Sequence, residues 1–218
     1  MKFSKSNQSG FTLVEIAIVL VIIGLLLGGV LKGQELIENS RIKSIVTAIN
    51  GVSSAFNAYQ DRYQAVPGTE LLATTQARGW ATTVGGAGNG VLAIAPGLTF
   101  TNGGNQQAMW QDLISAGFST GAMPQATNPP LATGGLIGVS VNPYAMVGPA
   151  AICVSGLTTR QAAGADLIID GAGSANNTGD FRGANGAAPA LAPTVAAPAA
   201  AAYNEVTVVN KWSMCRSL

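Results

Sequence analysis

The sequence predicts an α+β protein: a long N-terminal helix, membrane-spanning in its first half and amphipathic in its second, packed on an antiparallel β-sheet head. Three observations carry this prediction. The stretch Phe11–Leu31 holds a single charged residue, Glu15. From Leu36 to Tyr63 the apolar residues recur every three or four positions, which marks one face of a helix. Beyond Pro67 the chain breaks into short apolar runs bounded by glycine and proline, the pattern of strands and turns.

The first segment reads FTLVEIAIVLVIIGLLLGGVL. At about 1.5 Å per residue it spans roughly 30 Å, the thickness of a bilayer's hydrocarbon core. A secretory signal would place a small-residue cleavage site after this run. Lys32-Gly33-Gln34-Glu35 stands there instead, and the small residues Ser9-Gly10 lie before it. Glu15 is costly at membrane depth, about 2.5–3.5 kcal/mol at mid-bilayer, and is therefore a functional candidate. Lys2 and Lys5 flank the run on one side and Lys32, Arg41 and Lys43 on the other, so charge counting does not orient it.

The apolar positions that follow are Leu36, Ile37, Ile42, Ile45, Val46, Ile49, Val52, Phe56, Tyr59 and Tyr63. Pro67-Gly68 ends the pattern, so the expected helix runs from about Phe11 to Tyr63. It contains Gly24, Gly28, Gly29 and Gly33, two small-xxx-small pairs. Each glycine costs up to about 1 kcal/mol against alanine. Close helix approach would offset that, as would local melting; otherwise glycine is simply frequent in membrane helices.

Composition narrows the chemistry. The chain has no histidine, which excludes histidine-based acid–base catalysis, histidine metal ligands and Ser-His or Cys-His nucleophiles. No enzyme activity and no cofactor are expected. A formal charge of +1 gives no steering field toward nucleic acid. Cys153 and Cys215 are the only cysteines. In an exported chain they would form one disulfide; in a cytosolic chain two free buried thiols are as good a reading.

Gly10-Phe11-Thr12-Leu13-Val14-Glu15, followed by the unbroken apolar run and preceded by a short leader with two lysines, resembles the processing and methylation motif of type IV pilins and type II secretion pseudopilins. The resemblance covers roughly residues 5–40. It implies a cleaved leader at 1–10, a transmembrane and filament-core helix at 11–31, an amphipathic continuation at 32–66 and a globular head at 67–218. A prepilin peptidase/methyltransferase would cut after Gly10 and methylate the new amine of Phe11. Glu15 would then pair with the Phe11 ammonium of a neighbouring pilin subunit. The subunit would sit in the inner membrane before assembly and in an extracellular pilus, or a periplasmic pseudopilus, after it.

The expected function is structural, as a pilus subunit serving adhesion, twitching motility or DNA uptake. A pseudopilin of a type II secretion system is the alternative, and a single-pass membrane-anchored envelope protein the remote one. Many type IV pilins carry a proline at the position Lys32 holds, and its absence leans toward a pseudopilin. A disulfide joining Cys153 to Cys215 near the C-terminus leans toward a pilin.

Within the head, Gly90–Ile94 is a candidate strand, and Asn105–Gly117 a helix burying Met109, Leu113 and Ile114. Leu136–Val141 and Ala150–Ser155 read as strands, and Thr158 as the cap of a short helix reaching Ile169. Val206–Val209 and Trp212–Cys215 read as a final strand pair. The Ala/Pro-rich stretch from Gly183 to Ala202 is expected to be a surface loop or mobile.

Other signals are weaker. Gly117-Phe118-Ser119-Thr120-Gly121 matches the G-x-S-x-G elbow but lacks a preceding strand and any histidine. Asp166, Asp170 and Asp180 are a weak calcium candidate without EF-hand spacing. Arg41 and Lys43 read as a solvated helix face, with DNA contact in a competence pilus as the runner-up. Asn176-Asn177-Thr178 fits a glycosylation sequon.

Overall fold

A computed structural model describes residues 10–124, 127–172, 175–186, 191–201, 203 and 211–218. Leader residues Lys2 and Lys5 and the expected strand Val206–Val209 lie outside these. The chain forms two compact units that divide between Ser40 and Arg41.

The helix α1 spans Leu13–Tyr63. In the first unit its large apolar side chains from Leu13 to Leu31 are 46–87% exposed. Leu36 and Ile37 are also exposed, at 61% and 57%, which corrects their assignment to the head-facing stripe. That stripe starts at Ile42 and continues through Ile45, Ile49, Phe56 and Tyr59, all buried. Val46, Val52 and Tyr63 pack at its margin. The steps of three and four were legible; where along the helix burial begins was not.

The second unit is an α+β head. Its elements are α2 (Leu72–Ala77), α3 (Gly104–Ser115), β1 (Ile137–Ser140), β2 (Ala151–Leu157), α4 (Thr159–Ile169), β3 (Phe181–Gly186) and β4 (Lys211–Ser217). The four strands form one antiparallel sheet in the order β1-β2-β4-β3, so the last strand enters near the middle. Cys153 faces Cys215 across the β2–β4 ladder, and the two form a disulfide, both fully buried. It closes 62 residues of sequence, which stabilises the fold by about 4 kcal/mol in the loop-entropy model.

One core joins the second half of α1, α3, α4 and the sheet, with Trp110, Trp212, Phe56 and Phe181 among its largest members. Gly164 lets α4 approach α1 closely, since a Cβ there would lie 2.6 Å from Ile42 Cδ1. The expected cap is present: Thr158 Oγ1 accepts from Gln161 N–H at 3.2 Å, and Gln161 Oε1 accepts from Thr158 N–H.

Three differences from the sequence reading have physical causes. Gly90–Ile94 is not a strand. Leu92 and Ile94 are buried and Val91 exposed, the alternation of a strand, but the Ala93 carbonyl accepts from Asn105 Nδ2 instead of a ladder partner. Helix α3 buries Met109 and Leu113 as expected, Ile114 only partly, and also Gln106, Gln111 and Asp112. Gln111 Oε1 accepts from Thr83 and Val84 N–H, and its Nε2 donates to Thr83 Oγ1 and to the Pro124 carbonyl. Asp112 Oδ2 accepts from Gly68 N–H at 2.7 Å. Gly68 has φ +82°, and a Cβ there would meet Met109 Cβ at 2.8 Å.

The third difference is β3, which lies partly inside the stretch expected to be a loop. Beyond β3 the described residues 191–201 are a surface loop, as expected, and hydrogen bonds hold it to the head. Asn176 Nδ2 donates to the Gly183 and Ala199 carbonyls and its Oδ1 accepts from Ala201 N–H. The Thr194 and Val195 carbonyls accept from Tyr144 and Ala145 N–H at 2.6 and 2.8 Å. Those bonds hold Tyr144 and Ala145 in the left-handed region, which costs about 1–3 kcal/mol per non-glycine residue.

Both sheet edges are partly covered. Phe181 and Gly183 N–H on β3 donate to Asp170 Oδ2 and the Asn176 carbonyl, and Ile137 and Val141 N–H beside β1 donate to the Pro129 and Ile94 carbonyls. These bonds take up part of the backbone that strand addition by a neighbour would need.

Candidate processing and assembly site

The residues that the sequence singles out lie at the start of α1. Gly10 and Phe11 precede the helix in irregular backbone, and Phe11 is 85% exposed. Thr12 is the residue before the first helical turn, and Glu15 is the third residue inside it. Together they form a reciprocal cap. Thr12 N–H and Thr12 Oγ1–H each donate to Glu15 Oε2 at 2.8 Å, and Glu15 N–H donates to Thr12 Oγ1 at 3.3 Å. The first turn of a helix favours an acidic group, because its free N–H groups carry partial positive charge.

Thr12 completes this cap with Glu15, a contact that the sequence reading did not assign. The signal was present: Thr12-Leu13-Val14-Glu15 before an apolar run is the S/T-x-x-E capping pattern. Further along, Lys32 and Glu35 form an exposed ion pair at 2.8 Å. At Gly24, Gly28, Gly29 and Gly33 an added Cβ would meet nothing within 4 Å, so packing within the protein does not require these glycines.

Residues 5–31 match a family model, the prokaryotic N-terminal methylation motif. The chain carries a prepilin signature. That signature supports a type IV pilin-like or pseudopilin protein, without saying which system it would serve. It fits a structural subunit, and implies processing by a prepilin peptidase and assembly with other pilin subunits. With the apolar helix, it points to membrane anchoring. The chain matches no curated protein and no solved structure.

The other candidates lie in the head. Asp166 is buried and its Oδ2 accepts from Tyr203 O–H at 2.8 Å. The Asp170 carboxylate accepts from Asp180 and Phe181 N–H, which shapes the turn into β3. These three carboxylates form no metal site: among the described residues no group of three His, Cys, Asp or Glu could hold a metal. The acceptor of the sequon, Asn176, is 1% exposed with its amide fully engaged, so it is closed to glycosylation in the folded head.

Ser119 of the G-x-S-x-G match borders a cleft with Trp110, Phe118, Pro129 and Leu131. Among the described residues no ionisable side chain lines that cleft, so none of them can activate the hydroxyl there.

A polar cluster fastens the chain after α1. Arg78 donates two hydrogen bonds to the Glu70 carboxylate, at 2.6 and 2.7 Å, and its guanidinium lies 4.6 Å from the Tyr63 ring and 5.0 Å from Trp80. Tyr59 O–H also donates to Glu70. Burial opposes ionisation of Glu70, but the hydrogen bonds from Arg78 and Tyr59 and the Arg78 charge outweigh it, holding the carboxyl below its ordinary range. Asp112 behaves oppositely. Burial pushes its carboxyl up to about 7 despite the Gly68 hydrogen bond.

Proposed function

We propose that the chain is a structural subunit of a type IV pilus, made as a prepilin. Cleavage after Gly10 removes residues 1–10, and Phe11 becomes the methylated N-terminus. Residues 11–31 cross the inner membrane and then form the filament core; 32–66 continue the helix and 67–218 form the head shown outside the cell. The single observation that carries this is the methylation motif running directly into an apolar helix whose large side chains are exposed.

Glu15 acts when the helix leaves lipid. Its carboxylate pairs with the Phe11 ammonium of a neighbouring subunit. At about 4 Å and an effective dielectric near 20 the Coulomb attraction is roughly 4 kcal/mol before desolvation is subtracted. The pair works mainly by register, since a subunit docked one step wrong buries an unpaired charge. The glycines at 24, 28, 29 and 33, where an added Cβ meets nothing within the chain, allow neighbouring helices to approach closely.

Mass spectrometry of the mature chain tests the processing step. A chain beginning at Phe11 with one added methyl is expected, and a chain that retains Met1–Gly10 overturns it. Glu15→Leu is expected to be cleaved and inserted but to assemble poorly; normal piliation in that variant overturns the pairing.

A pseudopilin of a type II secretion system is the second reading, favoured by Lys32, which stands where many type IV pilins have proline and leaves α1 without that break. The buried Cys153–Cys215 disulfide favours the pilus. A deletion strain separates them: loss of surface filaments supports the first, and loss of exported enzymes with filaments intact supports the second.

A further inference from the structure

The cleft beside Ser119 has features that the chain itself does not use. A strip of small residues on α1, Ala48, Gly51 and Ala55, forms one side of it, and Trp110, Phe118 and Pro130 line it as well. Its volume is about 350 Å³, within the range of binding clefts. Gly51 stands inside a long helix, where only proline is a poorer choice. An added Cβ there would meet nothing within 4 Å, so packing within the chain does not require this glycine. Trp110 is 1% exposed, yet its indole N–H has no acceptor among the described residues. The indole of Trp212, by contrast, donates to Thr159 Oγ1. A buried donor left unpaired is costly, and a carbonyl brought into the cleft would satisfy it.

A projection of matching character lies elsewhere on the head. Residues 194–197 are exposed between the buried Pro193 and Pro198, and Val195 is 65% exposed. The bond from Ala145 N–H to the Val195 carbonyl sets this tip beside the loop bearing Val147, which is also exposed. The Ala197 carbonyl has no donor among the described residues. Neither the tip nor the lining of the cleft includes an ionisable side chain.

Tip and cleft belong to opposite faces of the sheet. Strands β2 and β4 turn Ile152, Val154 and Met214 toward α1, and Cys153 and Cys215 toward Tyr144. The cleft is on the α1 side, whereas Tyr144 N–H is bonded to the tip.

We propose that the cleft is a docking site for a second copy of this chain: residues 194–197 of one subunit enter the cleft of the next, and a carbonyl of the tip accepts from the Trp110 indole. Both surfaces are neutral, so the contact buries no unpaired charge. A contact between two unlike patches leaves one of each free at the ends, and it continues into an open filament when the rotation does not close a ring. The proposal rests on the reading of the chain as a filament subunit, and adds a contact between heads to the one between stems.

The test uses the full chain in cells that assemble it. Thr120→Cys in the cleft and Val195→Cys on the tip are combined, and surface filaments are treated with a short bis-maleimide; the native disulfide is buried and does not interfere. A ladder of covalent multimers is expected from the pair, and no ladder from either single variant. Gly51→Leu fills the cleft with a better helix former. At least a tenfold loss of filaments per cleaved subunit is expected, with the melting of the head not lowered. Asn57→Leu, also exposed on α1 but outside the cleft, is expected within twofold of the parent.

Filaments of the cysteine pair that yield only monomer overturn the contact, as do normal filaments from Gly51→Leu. An Asn57→Leu loss as large as that of Gly51→Leu overturns the part given to the cleft. A cross-link from Thr120→Cys to a different protein, in place of a second copy, overturns the choice of occupant. Absence of filaments from the parent chain overturns the pilus reading, and this contact with it.

Discussion

The stem from Leu13 to Leu31 and the head from Arg41 onward use apolar residues in opposite ways. In the stem every large apolar side chain is exposed, and the residues are arranged for a surrounding that is not this chain. In the head Ile45, Ile49, Phe56, Tyr59, Trp110 and Trp212 are almost wholly buried against one another. The same helix, α1, serves both. An apolar side chain therefore stabilises the protein only after Ile42; before it, the benefit is deferred to lipid or to other subunits.

The comparison breaks most sharply under truncation. Trp110→Ala in the head is expected to destabilise by about 3–5 kcal/mol, while Leu20→Ala in the stem changes head unfolding by less than about 0.5 kcal/mol. Near-ultraviolet circular dichroism of the detergent-solubilised chain during thermal unfolding checks both. Equal effects would mean that the stem residues are part of the head's core.

Next in size, Cys153→Ala with Cys215→Ala is expected to cost about 4 kcal/mol of head stability. Because both sulfurs are buried, a reductant should leave the parent disulfide intact until the head unfolds, as thiol labelling would show. Rapid labelling of the native protein would contradict the burial.

Asp112 sharpens the comparison through pH. Its carboxyl sits near 7 in the fold against an ordinary value of 3.8. Between those values the folded state binds the extra proton, so stability falls as pH rises from about 4 to about 7 and is level above. Asp112→Asn removes this fall, a difference of a few kcal/mol at most, visible as a flatter melting temperature between pH 5 and pH 8. Glu70 acts in a separate window. Its lowered carboxyl contributes stability that is lost as pH drops through the acidic range.

The smallest effect is local. Thr158→Ala removes the hydroxyl that accepts from Gln161 N–H and is expected to cost about 1 kcal/mol in denaturant unfolding.

Much of the fold was legible in patterns that depend only on near neighbours along the chain. The long helix, the Thr158 cap, β1, β2 and the reading of Trp212–Cys215 as a strand all follow from local spacing. What misled was residue type without partner. Leu92 and Ile94 alternate like a strand and are buried like one, yet no strand forms. Gln111 and Asp112 look like a solvent face and are core, because loops lay their backbone N–H groups on them. At the N-terminus Gly10, Phe11 and Glu15 were readable from the motif, and the Thr12 contact from a capping pattern that went unused.

The sequence by itself determined the division of labour: an apolar stem bearing one carboxylate, a stripe of helix, then a cysteine-bearing head. Those features depend on composition and on periods of a few residues, which a linear string retains. Only the tertiary structure decided that burial starts at Ile42, that β4 enters between β2 and β3, and that Asn176 anchors the Ala/Pro-rich segment. Each of these depends on donors and acceptors far apart in the chain, such as Asp112 with Gly68 or Asn176 with Ala201. Such pairs leave no periodic trace, because any exposed amide or carboxylate would look the same until the fold supplies its partner.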